Sequence, residues 1–164
     1  GEITTAKFAT NVGGKVVQIV NVMDGAVATG TTTINYDTGI PQKTEGNEYM
    51  SLAITPTSAT NKLLIMANGL VTSAQTASNN VYMFLVQDDT ANSLKAVGQN
   101  HAYGQSCESM SLTHYMTAGT TSATTFKIRA GGDSAGTTTF NGASGALRFG
   151  GVGTSQITIM EILA

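Results

Sequence analysis

The most reactive side chains in this sequence are those of Cys107, His101 and His114. Nucleophilic catalysis would need the Cys107 thiol in contact with one of these imidazoles, and a third group to orient the base. His101 is close to Cys107 in sequence, but strand geometry does not by itself bring the two side chains together. We therefore predict that Cys107 is a small core residue and that His101 lies in a loop.

Acidic residues are the second class of side chain with catalytic capacity. A hydrolase of the two-carboxylate type needs its acids about 5 to 9.5 Å apart and converging on one bond. Asp88 and Asp89 are neighbours in an extended or turn segment and point apart, whereas Glu45 and Glu48 lie where a loop enters a strand. We predict that these acids are solvated residues of turns and rims, and that the chain is not an enzyme.

Metal and phosphate sites have weak signals. No H-x-H or C-x-x-C spacing accompanies the two histidines and Cys107. One alternative stays open, in which three copies of His114 around a threefold axis surround an ion. Gly13–Lys15 is not a phosphate-binding loop, because Val16 and Ala9 occupy the positions of the required Ser/Thr and first Gly. We predict neither a metal nor a cofactor.

Composition restricts the choice of partners. The chain of 164 residues is long enough for one domain with a sizeable core. Its net charge of −2, without Lys/Arg clusters, argues against nucleic acid, and no apolar run of about 18 residues would insert into a membrane. Charged residues make up 11% of the chain, against about 25% in typical domains. This polar, uncharged surface suits a protein outside the cytoplasm or one partly covered in an oligomer.

The elements that must position these residues are organised around Glu48–Leu70. Alternation of Met50, Leu52 and Ile54 predicts a half-buried strand, which Pro56 ends before a second strand begins. Similar short strands recur along the chain without helical periodicity. The pattern predicts an all-β fold, an antiparallel, jelly-roll-like β-sandwich of about eight to ten strands.

The sandwich is predicted to span residues 14–164, after an arm or shaft connection at residues 1–13. Because the chain begins with glycine, we expect a longer protein whose upstream part is missing. Within the domain, the patterns predict a strand at Thr31–Tyr36, a hairpin of Glu108–Met116 and Thr125–Ala130, and a long loop at residues 131–151 with one short strand at Ala146–Phe149.

Several strands carry apolar residues on both faces, although a lone sandwich leaves one face of each strand in water. The simplest cover is another copy of the chain, with well over ~1,000 Å² buried at each interface. The predicted homo-oligomer interface contains Leu64, Met66, Tyr82, Phe84, Ile157 and Ile159. The alternative is that loops of the same chain cover these faces.

Two segments have a distinctive sequence, ITPTSATNKLLI at Ile54–Ile65 and the Thr- and Gly-rich stretch Met116–Gly151. In their order along Gly14–Ile162, the segments resemble the carboxy-terminal knob domains of bacteriophage and prophage tail fibres. The resemblance implies a homotrimeric β-sandwich at the distal tip of a fibre in the virion, joined to an upstream shaft. It also implies attachment to a bacterial surface receptor, either a polysaccharide or an outer-membrane protein.

The chain is accordingly predicted to be a receptor-binding tip domain that acts without catalysis. Sugars offer C–H faces for stacking and hydroxyls for hydrogen bonds, so a receptor site should combine an aromatic ring with amides. The QNHAYGQ segment has this combination in Asn100, His101, Tyr103 and Gln105. The alternatives are a structural knob that trimerises or caps a fibre and, less favoured, a polysaccharide depolymerase.

Overall fold

The computed structural model describes residues 15–74, 79–101 and 106–164, without the side chains of Asn79 and His101. The predicted arm at residues 1–13 lies outside the described residues. The strands are β1 (Val16–Asp24), β2 (Ala28–Gly30), β3 (Asn47–Ile54), β4 (Lys62–Ala74), β5 (Asn79–Gln87), β6 (Lys95–His101), β7 (Glu108–Thr117), β8 (Thr124–Gly132), β9 (Thr137–Phe140), β10 (Gly142–Ala143), β11 (Ala146–Leu147) and β12 (Ser155–Ile162). Within these ranges there is no α-helix, and no helix is long and apolar enough to cross a membrane.

Two antiparallel sheets face each other. The first sheet has the order β1-β12-β4-β9-β2, and β7 pairs with the remaining side of β4. The second sheet has the order β3-β8-β5-β6, and β10 and β11 form a small separate pair. The predicted all-β, antiparallel sandwich is therefore confirmed, with more strands than the sequence predicted.

Alternation along the strands places the core between the two sheets. In β4, Leu63 and Ile65 have no exposed area, whereas Leu64 and Met66 are partly exposed on the outer face. The largest contributors to the core are Leu63, Ile65, Met83, Leu85, Phe126, Ile128, Phe140, Ile157 and Ile159. Ile157 and Ile159, which were predicted to contact another copy, are core residues of the single chain and leave no surface for a copy to cover.

Three predicted elements differ from the structure. β7 pairs with β4 in the first sheet and β8 pairs with β3 and β5 in the second, so the predicted hairpin is wrong. Both strands alternate because both face the same core, and alternation does not reveal which strand is the partner. The predicted long loop also contains β9 and β10, which its glycines and threonine run did not indicate, whereas β11 is the short strand that was predicted from Ala146.

The predicted strand Thr31–Tyr36 is instead a loop that crosses the outer face of the second sheet. Its Ile34 side chain is 2% exposed and packs against Phe84 and Val86. Phe84 has no exposed area, so the chain's own loop supplies the cover that was predicted from a second copy. For β5, the alternative prediction therefore holds: a loop of the same chain covers the outer apolar face of the strand.

The carboxylate of Glu161 ties the last strand to the β3–β4 connection, and the residue is completely buried. Its Oε1 accepts hydrogen bonds from the N–H groups of Thr57 at 2.8 Å and Ser58 at 3.3 Å, from the Thr57 hydroxyl at 2.8 Å, and from Asn61 Nδ2 at 2.6 Å. Its Oε2 accepts a hydrogen bond from Gln18 Nε2 at 2.6 Å. Burial alone would raise the pKa of Glu161, but the hydrogen bonds outweigh it and hold the pKa at about 2.

The outer face of the first sheet carries a row of apolar side chains across four strands. Register places Ile19, Met160, Leu64 and Tyr115 side by side, and we refer to these four residues as the outer apolar row. Ile19 is 56% and Tyr115 is 57% exposed. Because the structure contains one chain, the homotrimer stays a prediction.

Candidate functional site

Two tyrosines form a stacked pair on the outer face of the second sheet. The ring centroids of Tyr36 and Tyr82 are 5.6 Å apart, with an interplanar angle of 20°. Tyr36 is 76% exposed, so the face of its ring that does not contact Tyr82 is open to solvent. The Tyr82 hydroxyl is buried and makes no hydrogen bond within the described part of the chain. Burial and then the charge of Asp133 raise the pKa of Tyr82 to about 12, so this hydroxyl is protonated at neutral pH.

Glycines on both neighbouring strands allow this arrangement. Strand register places Tyr82 between Gly98 of β6 and Gly131 of β8. A β-carbon at Gly98 would overlap the Tyr82 ring, and one at Gly131 would lie 2.8 Å from the carbonyl oxygen of Thr32. Glycine therefore lets the ring lie across β6 on one side and lets the covering loop cross β8 on the other.

The loop that carries Tyr36 is held by carboxylates and by Arg129. Glu45 accepts hydrogen bonds from the N–H groups of Asn35 at 2.8 Å and Gln42 at 2.6 Å. The Arg129 guanidinium donates to the carbonyl of Glu45 at 2.9 Å, and Asp37 Oδ1 accepts from the N–H of Gly39 at 2.6 Å. These bonds fix the backbone on both sides of Tyr36, which positions its ring on Tyr82.

Amide side chains lie beside the tyrosine pair. Asn80 and Asn100 face each other across β5 and β6, one row from Tyr82, with Asn100 Nδ2 3.5 Å from Asn80 Oδ1. Asn80 Nδ2 donates to Asp133 Oδ2 at 2.8 Å, which orients the amide. Together these groups surround a cavity of about 290 Å³, the tyrosine cleft, which is lined by Tyr36, Asn80, Tyr82, Gly98, Gln99 and Asn100.

The structure places the predicted receptor residues only in part. Asn100 lines the cleft, but it belongs to β6 and not to a loop, because β6 continues to His101. The side chain of His101 is not described, and Tyr103 and Gln105 lie outside the described residues. Tyr82, predicted to contact another copy, lines the cleft instead.

Tyr36 and Asn80 are cleft residues that the sequence patterns did not indicate. Tyr36 ends a Thr-rich stretch that resembles a strand, and nothing in its neighbourhood indicates that it meets β5. The one local signal is Gly98, a glycine inside a strand, which often marks the close approach of another group.

The other residues considered for chemistry have structural contacts. Cys107 Sγ donates to the carbonyl of Gly142 at 3.4 Å and accepts from the Thr72 hydroxyl at 3.5 Å. His114 lies along the extended β7, roughly 20 Å from Cys107. Burial and then the positive charge of Lys95 lower the pKa of His114.

The two members of each acidic pair, Asp88 with Asp89 and Glu45 with Glu48, bind different partners. Asp88 accepts hydrogen bonds from the Thr125 N–H at 2.7 Å and the Thr124 hydroxyl at 2.8 Å, whereas Asp89 is an exposed neighbour of Lys43 at 3.8 Å. Glu48 lies 3.7 Å from the Arg129 guanidinium and 3.8 Å from the Lys127 ammonium, whereas the Glu45 carboxylate accepts from backbone N–H groups of the loop. No group of three metal-ligating side chains occurs among the described residues.

The fold and the site define an all-β sandwich domain with an aromatic cleft on the outer face of one sheet. The chain belongs to the Pgp3 C-terminal domain family, whose model matches residues 32–164. No curated protein sequence matches the chain.

This membership shows that the resemblance to phage tail-fibre knobs is wrong. The segments that suggested it, Ile54–Ile65 and Met116–Gly151, contain many of the chain's turns, and Thr, Ser, Asn and Gly recur in turns of unrelated β proteins. The expected virion location, fibre shaft and bacterial receptor came from that resemblance and have no other support.

Several solved structures share features of the fold at low identity. The chain is similar to the latent PorU of Porphyromonas gingivalis, with 7% identity, 94% of this chain and 14% of that chain covered, and a TM-score of 0.46. The CBM22-1 xylan-binding domain of Paenibacillus barcinonensis Xyn10C has 12% identity and a TM-score of 0.41, with 93% of this chain and 97% of that chain covered. The EclA C-terminal domain, a sugar-binding protein, has 10% identity and a TM-score of 0.39, with 88% of this chain and 86% of that chain covered. At these scores the similarities carry no argument about function.

Proposed function

We propose that this domain is a non-catalytic binding module that holds a saccharide against Tyr36 in the tyrosine cleft. The observation that carries the proposal is the exposed ring of Tyr36, which is backed by Tyr82 and stands beside two amides. A ring that is already stacked loses little freedom when a ligand covers its other face, so binding needs less ordering of the site.

The groups around the ring match the chemistry of a sugar. The face of a pyranose ring presents C–H groups to an aromatic plate, while its hydroxyls need donors and acceptors at the edge. Asn100 and Asn80 supply amides at that edge. The acids near the cleft hold its residues in place, because Asp133 orients the Asn80 amide and Asp37 accepts a hydrogen bond within the loop that carries Tyr36.

The test is binding to an array of defined oligosaccharides, followed by titration calorimetry with those that bind. Tyr36→Ala removes the plate and should weaken binding at least about tenfold, whereas Tyr36→Phe keeps the ring and should retain most of the affinity. Phe149→Ala is the control, because Phe149 is 67% exposed but does not line the cleft.

Two results would contradict the proposal. One is that no oligosaccharide binds the wild-type chain. The other is that Tyr36→Ala and Phe149→Ala reduce binding of the same oligosaccharide equally, which would place the ligand elsewhere.

We also propose that the domain assembles as a homotrimer through the outer apolar row. Ile19 and Tyr115 are more than half exposed on a continuous apolar strip, which is the feature that marks a protein interaction surface. Three copies of the 16.9 kDa chain have a mass of 3 × 16.9 = 50.7 kDa, which light scattering measures directly.

The matched variant for the assembly is Leu64→Lys, which places a charge in the centre of the row and should give monomers. Ala53→Lys adds the same charge to the outer face of the second sheet and should leave the mass unchanged. A wild-type chain that is monomeric at all concentrations would rule out the trimer without affecting the saccharide site.

A further inference from the structure

Two more cavities follow β6 from the tyrosine cleft toward the start of the strand. The middle cavity has a volume of about 200 Å³ and shares Tyr36, Tyr82 and Gly98 with the cleft. The end cavity has a volume of about 380 Å³ and includes Leu94 and Lys95. It shares three residues with the middle cavity: Gly39, Pro41 and Ala96. The three cavities therefore adjoin one another along a single groove.

Small side chains form the floor of this groove. Ala96, Gly98 and Asn100 all lie on the outer face of β6, opposite Phe84, Tyr82 and Asn80 of β5. The six residue steps from Leu94 to Asn100 span roughly 20 Å in an extended strand. The loop that carries Ile34 and Tyr36 forms the opposite wall, so the groove is straight and open at the surface.

Size and charge restrict what the groove can hold. Pockets for single small molecules have volumes of about 300–1,000 Å³, and two of the three cavities are smaller than that range when taken alone. A chain that occupies adjoining cavities uses all of the space. Asp37 is the one charged side chain that the described residues place on this face of the cavities. Lys95 is out of phase with Ala96 in β6, and its charge acts on His114 of the other sheet. The Asp37 carboxylate already accepts from the N–H of Gly39, so the groove offers no charge of its own to a cationic ligand and disfavours an anionic one.

We infer that this groove binds a linear, extended and uncharged oligosaccharide through several consecutive sugar units, with Tyr36 as the plate for one of them. The inference rests on the proposed function and adds the form of the ligand. A straight groove along a β-strand suits an extended chain, such as a β-1,4-linked glycan, and does not suit a branched or compact one.

The experiment measures binding of two β-1,4-linked series, cello- and chito-oligosaccharides, from the monosaccharide to the hexasaccharide. Affinity should rise with chain length and then become constant when the groove is filled. Ala96→Ile should narrow the groove between the middle and end cavities, because isoleucine is stiff and suits a strand. It should weaken the hexasaccharide about tenfold and leave the disaccharide within about twofold.

The matched control is Ala53→Ile. It makes the same change at an exposed alanine on the outer face of the same sheet, in the opposite edge strand β3, and should alter neither affinity. Circular dichroism and the midpoint of thermal unfolding check that both variants are folded.

The possible results separate the two proposals. Length-independent binding that Tyr36→Ala still abolishes would overturn the extended groove and leave the saccharide site intact. An equal loss for disaccharide and hexasaccharide in Ala96→Ile would do the same. No binding of either series by the wild-type chain would overturn the groove, and the wider array described above would then decide the saccharide site.

Discussion

The buried carboxylate of Glu161 provides the strongest test of how this fold is held together. Glu161→Ala removes the nearer of two acceptors of Asn61 Nδ2, the other being the Thr57 hydroxyl at 3.2 Å, and Asn61 is only 2% exposed. A buried donor without a partner costs about 1–3 kcal/mol, and a hydrogen bond to a charged group contributes about 1.5–3 kcal/mol. Every group that donates to Glu161 is neutral, so its removal leaves no unpaired charge, and we expect Glu161→Ala to lower the free energy of unfolding by about 2–4 kcal/mol.

The conservative variant Glu161→Gln separates charge from shape. Its amide oxygen can still accept from Thr57 and Asn61, but its NH₂ group then faces the Gln18 NH₂ group, which is also a donor. One unsatisfied contact of this kind predicts a loss of about 1–3 kcal/mol. The control is Glu48→Gln, which removes only exposed ion pairs and should change stability by less than about 1 kcal/mol.

The pH dependence of unfolding gives a second readout for Glu161. Its pKa in the folded chain, about 2, is below the ordinary value of 4.5, so the folded state releases this proton more readily than the unfolded state. The resulting stability is therefore fully present above pH 4.5 and is lost as the pH falls toward 2. Urea unfolding across this range should show a steeper loss for the wild-type chain than for Glu161→Gln.

Two results would refute this account of Glu161. Equal pH dependence in the wild-type chain and Glu161→Gln would mean that the carboxylate is not held in its charged form. A loss in Glu161→Ala no larger than that in Glu48→Gln would mean that the hydrogen bonds are replaced by water at no net loss.

Two further predictions test the construction of the tyrosine cleft. Ile34→Ala should lower the free energy of unfolding by about 2–5 kcal/mol, because it opens a void over Phe84, and urea unfolding that shows less than about 1 kcal/mol would contradict the loop cover. Gly98→Ala should displace the Tyr82 ring and weaken the stacking of Tyr36, which tyrosine fluorescence and saccharide titration would detect. Unchanged affinity in a folded Gly98→Ala chain would show that this stack does not position the ligand.

The positions of several strands were predictable because the alternation of apolar and polar residues along a strand shows which side chains face the core. Alternation in Met50–Ile54 and Phe126–Ala130 identified β3 and β8 with their inward residues. The same alternation led to the wrong hairpin for β7 and β8, since strands of opposite sheets have the same pattern when they face one core.

Apolar side chains on both faces of a strand indicated that a cover exists, but not what the cover is. For Phe84 it is Ile34 of the same chain, and for Leu64 the single chain leaves the side chain partly exposed. A pattern of residue types cannot distinguish these cases, because burial depends on which distant segment reaches the face.

The sequence by itself determined the all-β class and the inward residues of most strands, since both follow from a period of two along the chain. Only the tertiary structure decided that Tyr36 stacks on Tyr82 beside Asn80 and Asn100. That contact depends on the space left by Gly98 and on a loop anchored far along the chain, and no local pattern of residues specifies either.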